Sequence, residues 1–187
     1  VLRQLGFSPV DITDIVRMAK PLFRLSKVAP GTLVDLKLDI KTQTPVDLSF
    51  IISPIKTLNM EKISQGEWRP RWIEKKLEIE QVPFSGLIQS SLWASAEKVG
   101  LNPQITYKLS DIFAWQIDFE REIRQGDQWT LVVEKKSIEG KVLGWGNVLA
   151  AKFVCQGRDY TAIHFPNGNK KGDYYNLQGE SMRSMFL

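Results

Sequence analysis

The sequence predicts an α+β fold, in which a small helix-plus-antiparallel-sheet module is followed by a helical pair leading into a curled antiparallel β-sheet. Three observations carry this reading. Apolar residues recur at helical spacing in a few short segments, strict apolar/polar alternation dominates most of the rest, and the later extended runs are separated by tight-turn dipeptides. Short turns between strands favour antiparallel pairing over crossover connections.

The first helix is expected from Ser8 to Ala19. Ile12, Ile15, Val16 and Ala19 fall on one helical face, Ser8 serves as N-cap, Pro9 suits the first turn, and Asp11 lies near the positive end of the helix. Pro21 discourages continuation, and the turn signature Val28-Ala29-Pro30-Gly31 opens onto a strand with Val34, Leu36, Leu38 and Ile40 on one face. A second alternating run through Val46, Leu48, Phe50 and Ile52 returns beside it. Shorter strands are expected at Leu58–Ile63, Trp68–Ile73 and Lys75–Val82. These elements define a first module over residues 1–82.

Pro83-Phe84-Ser85-Gly86 marks a change of period and opens a second module over residues 83–187. Ile88, Leu92, Ser95, Ala96 and Val99 share a helical face that closes at Gly100, and a further helix runs from Pro103 to Trp115 with Ile105, Leu109, Ile112 and Phe113 inward. Four strands follow at Trp129–Lys136, Lys141–Cys155, Asp159–Phe165 and Asp173–Leu177. Their turns are Glu139-Gly140, Gln156-Gly157 and Asn167-Gly168. Gly144 and Gly146 within the longest strand suggest a bulge where the sheet curls.

The 187 residues suffice for two small domains, and 43% hydrophobic content argues against disorder. The formal charge of +4 comes from 25 basic and 21 acidic residues interspersed along the chain, so no basic tail points to nucleic acid. No apolar run reaches the roughly 18 residues of a membrane span. The chain starts without Met, so an upstream signal or anchor is expected, and any membrane attachment is expected to run through it.

Catalytic chemistry finds little to work with. Zinc hydrolases need about three protein ligands plus a helper group, for which histidine is the usual choice; the chain has one histidine, His164, and one cysteine, Cys155. Alternation puts His164 on the face opposite Ile163 and Phe165, which reads as a surface or interface histidine, and Cys155 reads as a small buried filler. The pairs Asp118 with Glu120 and Glu120 with Glu122 have only the spacing of a solvated segment. No catalytic or metal residue is therefore assigned, and no cofactor is expected in this chain.

The run Trp68-Arg69-Pro70-Arg71-Trp72 is the candidate contact site. In an extended chain Trp68 and Trp72 share one face while Arg69 and Arg71 share the other. Exposed indoles stack on sugar rings and guanidinium groups pair with carboxylates, so a glycan or a protein partner is one reading. The other has the indoles packed on the neighbouring helix and the arginines solvated.

Several stretches resemble, in order, the segment ahead of the catalytic domain in LytM-type, lysostaphin-like zinc peptidases related to opacity-associated protein A and to the helical-shape peptidases of curved Gram-negative bacteria. They include Gly86-Leu87-Ile88-Gln89-Ser90-Ser91-Leu92, Ala96-Glu97-Lys98-Val99-Gly100-Leu101, Asp111-Ile112-Phe113-Ala114-Trp115-Gln116-Ile117-Asp118-Phe119 and Arg124-Gln125-Gly126-Asp127. Leu149-Ala150-Ala151-Lys152-Phe153, Tyr160-Thr161-Ala162-Ile163-His164-Phe165, Tyr174-Tyr175-Asn176-Leu177-Gln178-Gly179 and Phe186-Leu187 continue the order. The first module is similar, more loosely, to the LysM-like domain that precedes it. The family's HxxxD and HxH zinc motifs are absent here. The resemblance therefore implies a regulatory and peptidoglycan-targeting region of a periplasmic cell-wall endopeptidase. Zinc is expected in a downstream LytM-type catalytic domain, and that domain, linked or separate, and peptidoglycan are the partners. A stand-alone glycan-binding or peptidase-inhibiting envelope protein is the alternative.

Overall fold

The computed structural model describes residues 2–64, 66–168 and 170–183; the Phe186-Leu187 stretch lies outside the described residues. The chain forms two compact units, Val1–Leu77 and Glu78–Leu187. Among the described residues there are two antiparallel sheets, of four and five strands, and three α-helices.

In the first unit α1 (Pro9–Ala19) begins where expected: the Ser8 hydroxyl accepts the Asp11 N–H at 3.1 Å and Pro9 occupies the first turn. Strands β1 (Val34–Leu38), β2 (Pro45–Ser53), β3 (Lys56–Ser64) and β4 (Glu67–Glu74) form a meander in sequential order. The cross-strand pairs Leu48↔Met60 and Phe50↔Leu58 put four apolar side chains on one face, where they join Phe7, Ile15, Ala19 and Trp68 in a core. Val16, expected on the inward face of α1, is half exposed; Asp11 and Asp14 are buried in its stead. Helical spacing gave the apolar face correctly at Ile15 and Ala19, but it could not reveal that β4 supplies hydrogen-bond donors for two carboxylates.

The opposite face of this sheet is polar. Asn59, buried, donates to Asp47 at 3.0 Å and to Ser49 at 2.9 Å, and accepts from the Arg71 guanidinium at 2.9 Å, so its carboxamide is paired at both ends.

The extended run read as Lys75–Val82 is longer and differently paired. It is β5 (Glu78–Leu87), and it pairs with β6 (Gln128–Ile138) in the second unit. Pro83-Phe84-Ser85-Gly86 therefore lies within a strand and marks no break. Alternation continues through it, with Pro83 outward and Phe84 packed inward. The helix expected from Ile88 is confined to α2 (Leu92–Lys98), capped by the Ser91 hydroxyl on the Ala94 N–H; Ile88 is buried ahead of it and Val99 is partly exposed. Then α3 (Pro103–Phe113) buries Ile105, Leu109, Ile112 and Phe113 as anticipated.

Strands β7 (Lys141–Cys155), β8 (Arg158–Asn167) and β9 (Lys170–Tyr175) complete the sheet in the order β5-β6-β7-β8-β9. Both central residues of the Glu139-Gly140 and Gln156-Gly157 turns have positive φ, the geometry that matches the twist of the flanking strands. Register shifts between Val133 and Lys135 and between Lys136 and Ser137 place the irregularity opposite Gly144 and Gly146.

Consecutive strands β4 and β5 are each outermost in their own sheets, and each carries a proline, Pro70 and Pro83. A proline in such a strand has no N–H to offer a further neighbour.

Candidate interaction surfaces

The Trp68–Trp72 run divides as its alternation requires, and the two indoles part company. Trp68 is 1% exposed and sits against Phe7, with ring centroids 5.6 Å apart. Its indole N–H donates to Asp11 at 2.8 Å and its backbone N–H to Asp14 at 2.7 Å. No surface of Trp68 is open to a sugar. Trp72 is partly buried edge-to-face on Phe23, with the Lys56 ammonium 4.5 Å from its ring centroid. Arg69 and Arg71 lie on the polar face, both exposed, Arg71 oriented by Asn59.

Asp11 is the most engaged carboxylate of the first unit. Burial pushes its pKa up, but hydrogen bonds from Trp68 and Ser8 and the charge and hydrogen bond of Lys62, 3.3 Å away, outweigh that and leave it below the ordinary value.

His164 lies on the face opposite Ile163 and Phe165, as alternation required, but the covering is the reverse of that expected for a surface or interface histidine: its face is the one turned to the core, and it is partly buried. His164 stacks at 5.3 Å on Tyr174, and its Nε2 would lie 2.4 Å from a Cβ placed on Gly172. Phe165 is 62% exposed. Alternation separates the faces of a strand but does not say which one the helices cover. Cys155 is buried, with its thiol pKa raised by burial, then by the charges of Asp127 and Glu122 and a hydrogen bond to Asp127, against a smaller opposing effect of Arg124. Among the described residues no group of three His, Cys, Asp or Glu side chains is arranged to hold a metal ion.

Two adjacent rows across the second sheet show what the reversal means. Phe84, Leu131, Ala151 and Ala162 pair in register on the helix-covered face and belong to the core. The next row, Pro83, Val132, Ala150, Ile163 and Tyr175, is equally apolar and faces away from the helices. At its β9 end Ile163, Phe165 and Tyr175 border a hollow of about 480 Å³ closed by the Asn176–Gly179 turn, where Leu177 is 69% exposed. An open apolar surface of this kind on a folded unit is the mark of a contact site.

A second concave surface lies at the end of α3. Tyr107, 63% exposed, and Trp115, 57% exposed, line one cleft of about 640 Å³ with Asp111, Asp118, Glu120 and Glu122. Sequence reasoning assigned neither aromatic a role. Tyr107 lies off the inward stripe of α3, which was the available signal.

These features describe a two-unit α+β chain that presents open surfaces and, among its described residues, no metal site. Residues 65–187 match the family described as the Csd3 second domain, and the chain belongs to that family. It is 33% identical over its whole length to the peptidoglycan DD-endopeptidase ShyC of Vibrio cholerae, covering 40% of that protein, and 30% identical over 139 residues to an uncharacterised metalloprotease of Haemophilus influenzae, covering 28% of it. The chain thus spans less than half the length of these relatives. In fold it is similar to a zinc-containing peptidase from Vibrio cholerae, with a TM-score of 0.61 at 22% identity over 97% of this chain and 54% of that one. It corresponds to a non-catalytic part of such proteins.

Proposed function

We propose that the chain is the regulatory and wall-targeting region of a peptidoglycan endopeptidase of the cell envelope, and that it restrains or positions a zinc-bearing LytM-type catalytic domain. The observation that carries this reading is the one-third identity, over the entire chain, to a peptidoglycan endopeptidase of which the chain spans two-fifths. The open apolar surface at Ile163, Phe165 and Leu177 supports it, since a linked partner works at high effective concentration and modest contacts then suffice to hold it. In this reading the first unit is the LysM-like module, with its boundary moved from residue 82 to Leu77, and the second unit is the segment beside the catalytic domain. Arg69, Arg71 and the partly exposed Trp72 are the contacts the first module offers to a glycan or partner, with Trp68 structural.

The test adds this chain in trans to a purified catalytic domain of the matched class digesting isolated sacculi. Slower or redirected digestion, relieved by the double substitution Phe165→Asp, Leu177→Asp in a chain that still folds, is the expected result. Unchanged digestion at large molar excess would remove the restraining role.

A further inference from the structure

We infer that the cleft between Tyr107 and Trp115 is a binding site for an uncharged amino-sugar glycan, a β-linked chain of N-acetylhexosamine units. The choice of glycan rests on the envelope reading above; the site itself rests on geometry. Tyr107 and Trp115 are both more than half exposed, line the same cleft, and neither ring packs against another aromatic ring among the described residues. Large aromatic side chains left open in pairs lose the burial that normally rewards them, which marks a surface kept for contact. Tyr107 stands on α3 and Trp115 just past its end, and both line one cleft, so a single extended glycan of several units can meet both rings. The cleft volume of about 640 Å³ is that of a small-molecule site, typically about 300–1,000 Å³.

The carboxylates supply acceptors beside the rings. Asp118 already accepts the N–H groups of Glu120 and Arg121 at 3.0 and 3.1 Å, and its other oxygen lies 3.9 Å from the Arg121 guanidinium. Glu122 accepts the Asp118 N–H at 3.0 Å, and Asp111 lies 3.6 Å from the Arg183 guanidinium. The acidic rim is thus largely committed to local structure and partly neutralised. It retains lone pairs for sugar hydroxyl and acetamido donors, and with four carboxylates against two exposed guanidiniums it stays acidic overall, which disfavours polyanions. Aromatic rings for the apolar faces of pyranose rings, and oxygen acceptors beside them for hydroxyl and amide protons, are the complement of a neutral glycan.

The experiment titrates chitotetraose into the 187-residue chain and follows the indole N–H signal of Trp115, assigned with Trp115→Phe, by NMR. The expected result is a saturable shift confined to residues of the cleft. Trp115→Ala and Tyr107→Ala should each weaken binding about tenfold, the order of one stacked ring; unchanged Trp68 and Trp129 indole signals certify the fold. No shift at millimolar chitotetraose, full affinity in both alanine variants, or saturable binding of pentalysine at the same cleft would overturn the proposal. Trp115→Ala is expected to keep its effect on a catalytic domain in trans. Loss of glycan binding with that effect intact would therefore remove this site alone, whereas glycan binding without any effect in trans would remove the restraining role and leave the site standing.

Discussion

The indole N–H of Trp68 donates to the Asp11 carboxylate at 2.8 Å, and one helical turn along, the Trp68 backbone N–H donates to Asp14. One residue of β4 thereby satisfies two buried acids on α1, fixing both the rotation of the helix and its position along the strand. The Arg17 guanidinium adds a pair to Asp14, and the Lys62 ammonium lies 5.7 Å from the Trp68 ring centroid.

Trp68→Phe is expected to destabilise the first unit by about 1–3 kcal/mol, because the ring is retained while a buried carboxylate loses its donor. Urea denaturation followed by a probe in the first unit measures it, and a change below about 0.5 kcal/mol would remove the hydrogen bond from the account.

The pH dependence of stability has two limbs with different owners. Asp11 has a depressed pKa in the folded chain, so its contribution is full above the unfolded value of about 4 and is lost as pH falls through the lower folded value. The first unit therefore weakens below about pH 4, and Asp11→Asn, less stable at neutral pH, flattens that limb. Melting temperatures of the two proteins between pH 2.5 and 7 check the convergence.

Tyr174 owns the alkaline limb. Burial, opposed in part by Arg183, raises its pKa to about 12, and its hydroxyl donates to the Val148 carbonyl at 3.0 Å. With a folded value above the unfolded one of about 10, its contribution is complete below pH 10 and is lost as pH rises toward 12. Phenolate absorbance should report one tyrosine ionising only together with unfolding of the second unit.

Gly86 pairs with Trp129 across β5 and β6, and the indole lies over it, its N–H held by the Ser95 hydroxyl. A Cβ at Gly86 would approach the ring to 2.6 Å. Gly86→Ala should cost about 1–3 kcal/mol by forcing Trp129 off its position, seen as a denaturation midpoint that moves with Trp129 fluorescence.

Cys155 should behave as a silent thiol. Burial and two neighbouring carboxylates hold it protonated at neutral pH, so its alkylation by iodoacetamide should proceed at the rate of opening of the second unit and rise steeply in denaturant. Rapid labelling of the native chain would contradict the buried placement.

Much of the architecture was legible because it rests on local rules. Ser8 and Pro9 start α1, Ile105 and Leu109 mark the inward stripe of α3, and Glu139-Gly140 and Gln156-Gly157 make the hairpin turns. What was not legible depends on which faces are covered. His164 and Phe165 stand on opposite faces as read, but which of the two faces the core was not legible, because a strand's alternation is symmetric until helices settle on one of its faces. Val16 and Asp14 exchanged roles because a buried acid is acceptable only when distant donors exist, and those of Trp68 lie more than fifty residues away. The run from Trp68 to Trp72 kept its alternating faces, but whether an indole is core or surface was decided by Phe7 and α1, outside the run.

The prolines in the edge strands β4 and β5 bear on how this chain meets other molecules. An extended peptide seeking to lengthen either sheet at β4 or β5 encounters a gap in the ladder at Pro70 or Pro83, and the fibre-like stacking to which bare strand borders are prone is interrupted at both. At these borders, association is thereby steered away from strand addition and toward side-chain surfaces, which engage and release without unravelling any backbone pairing.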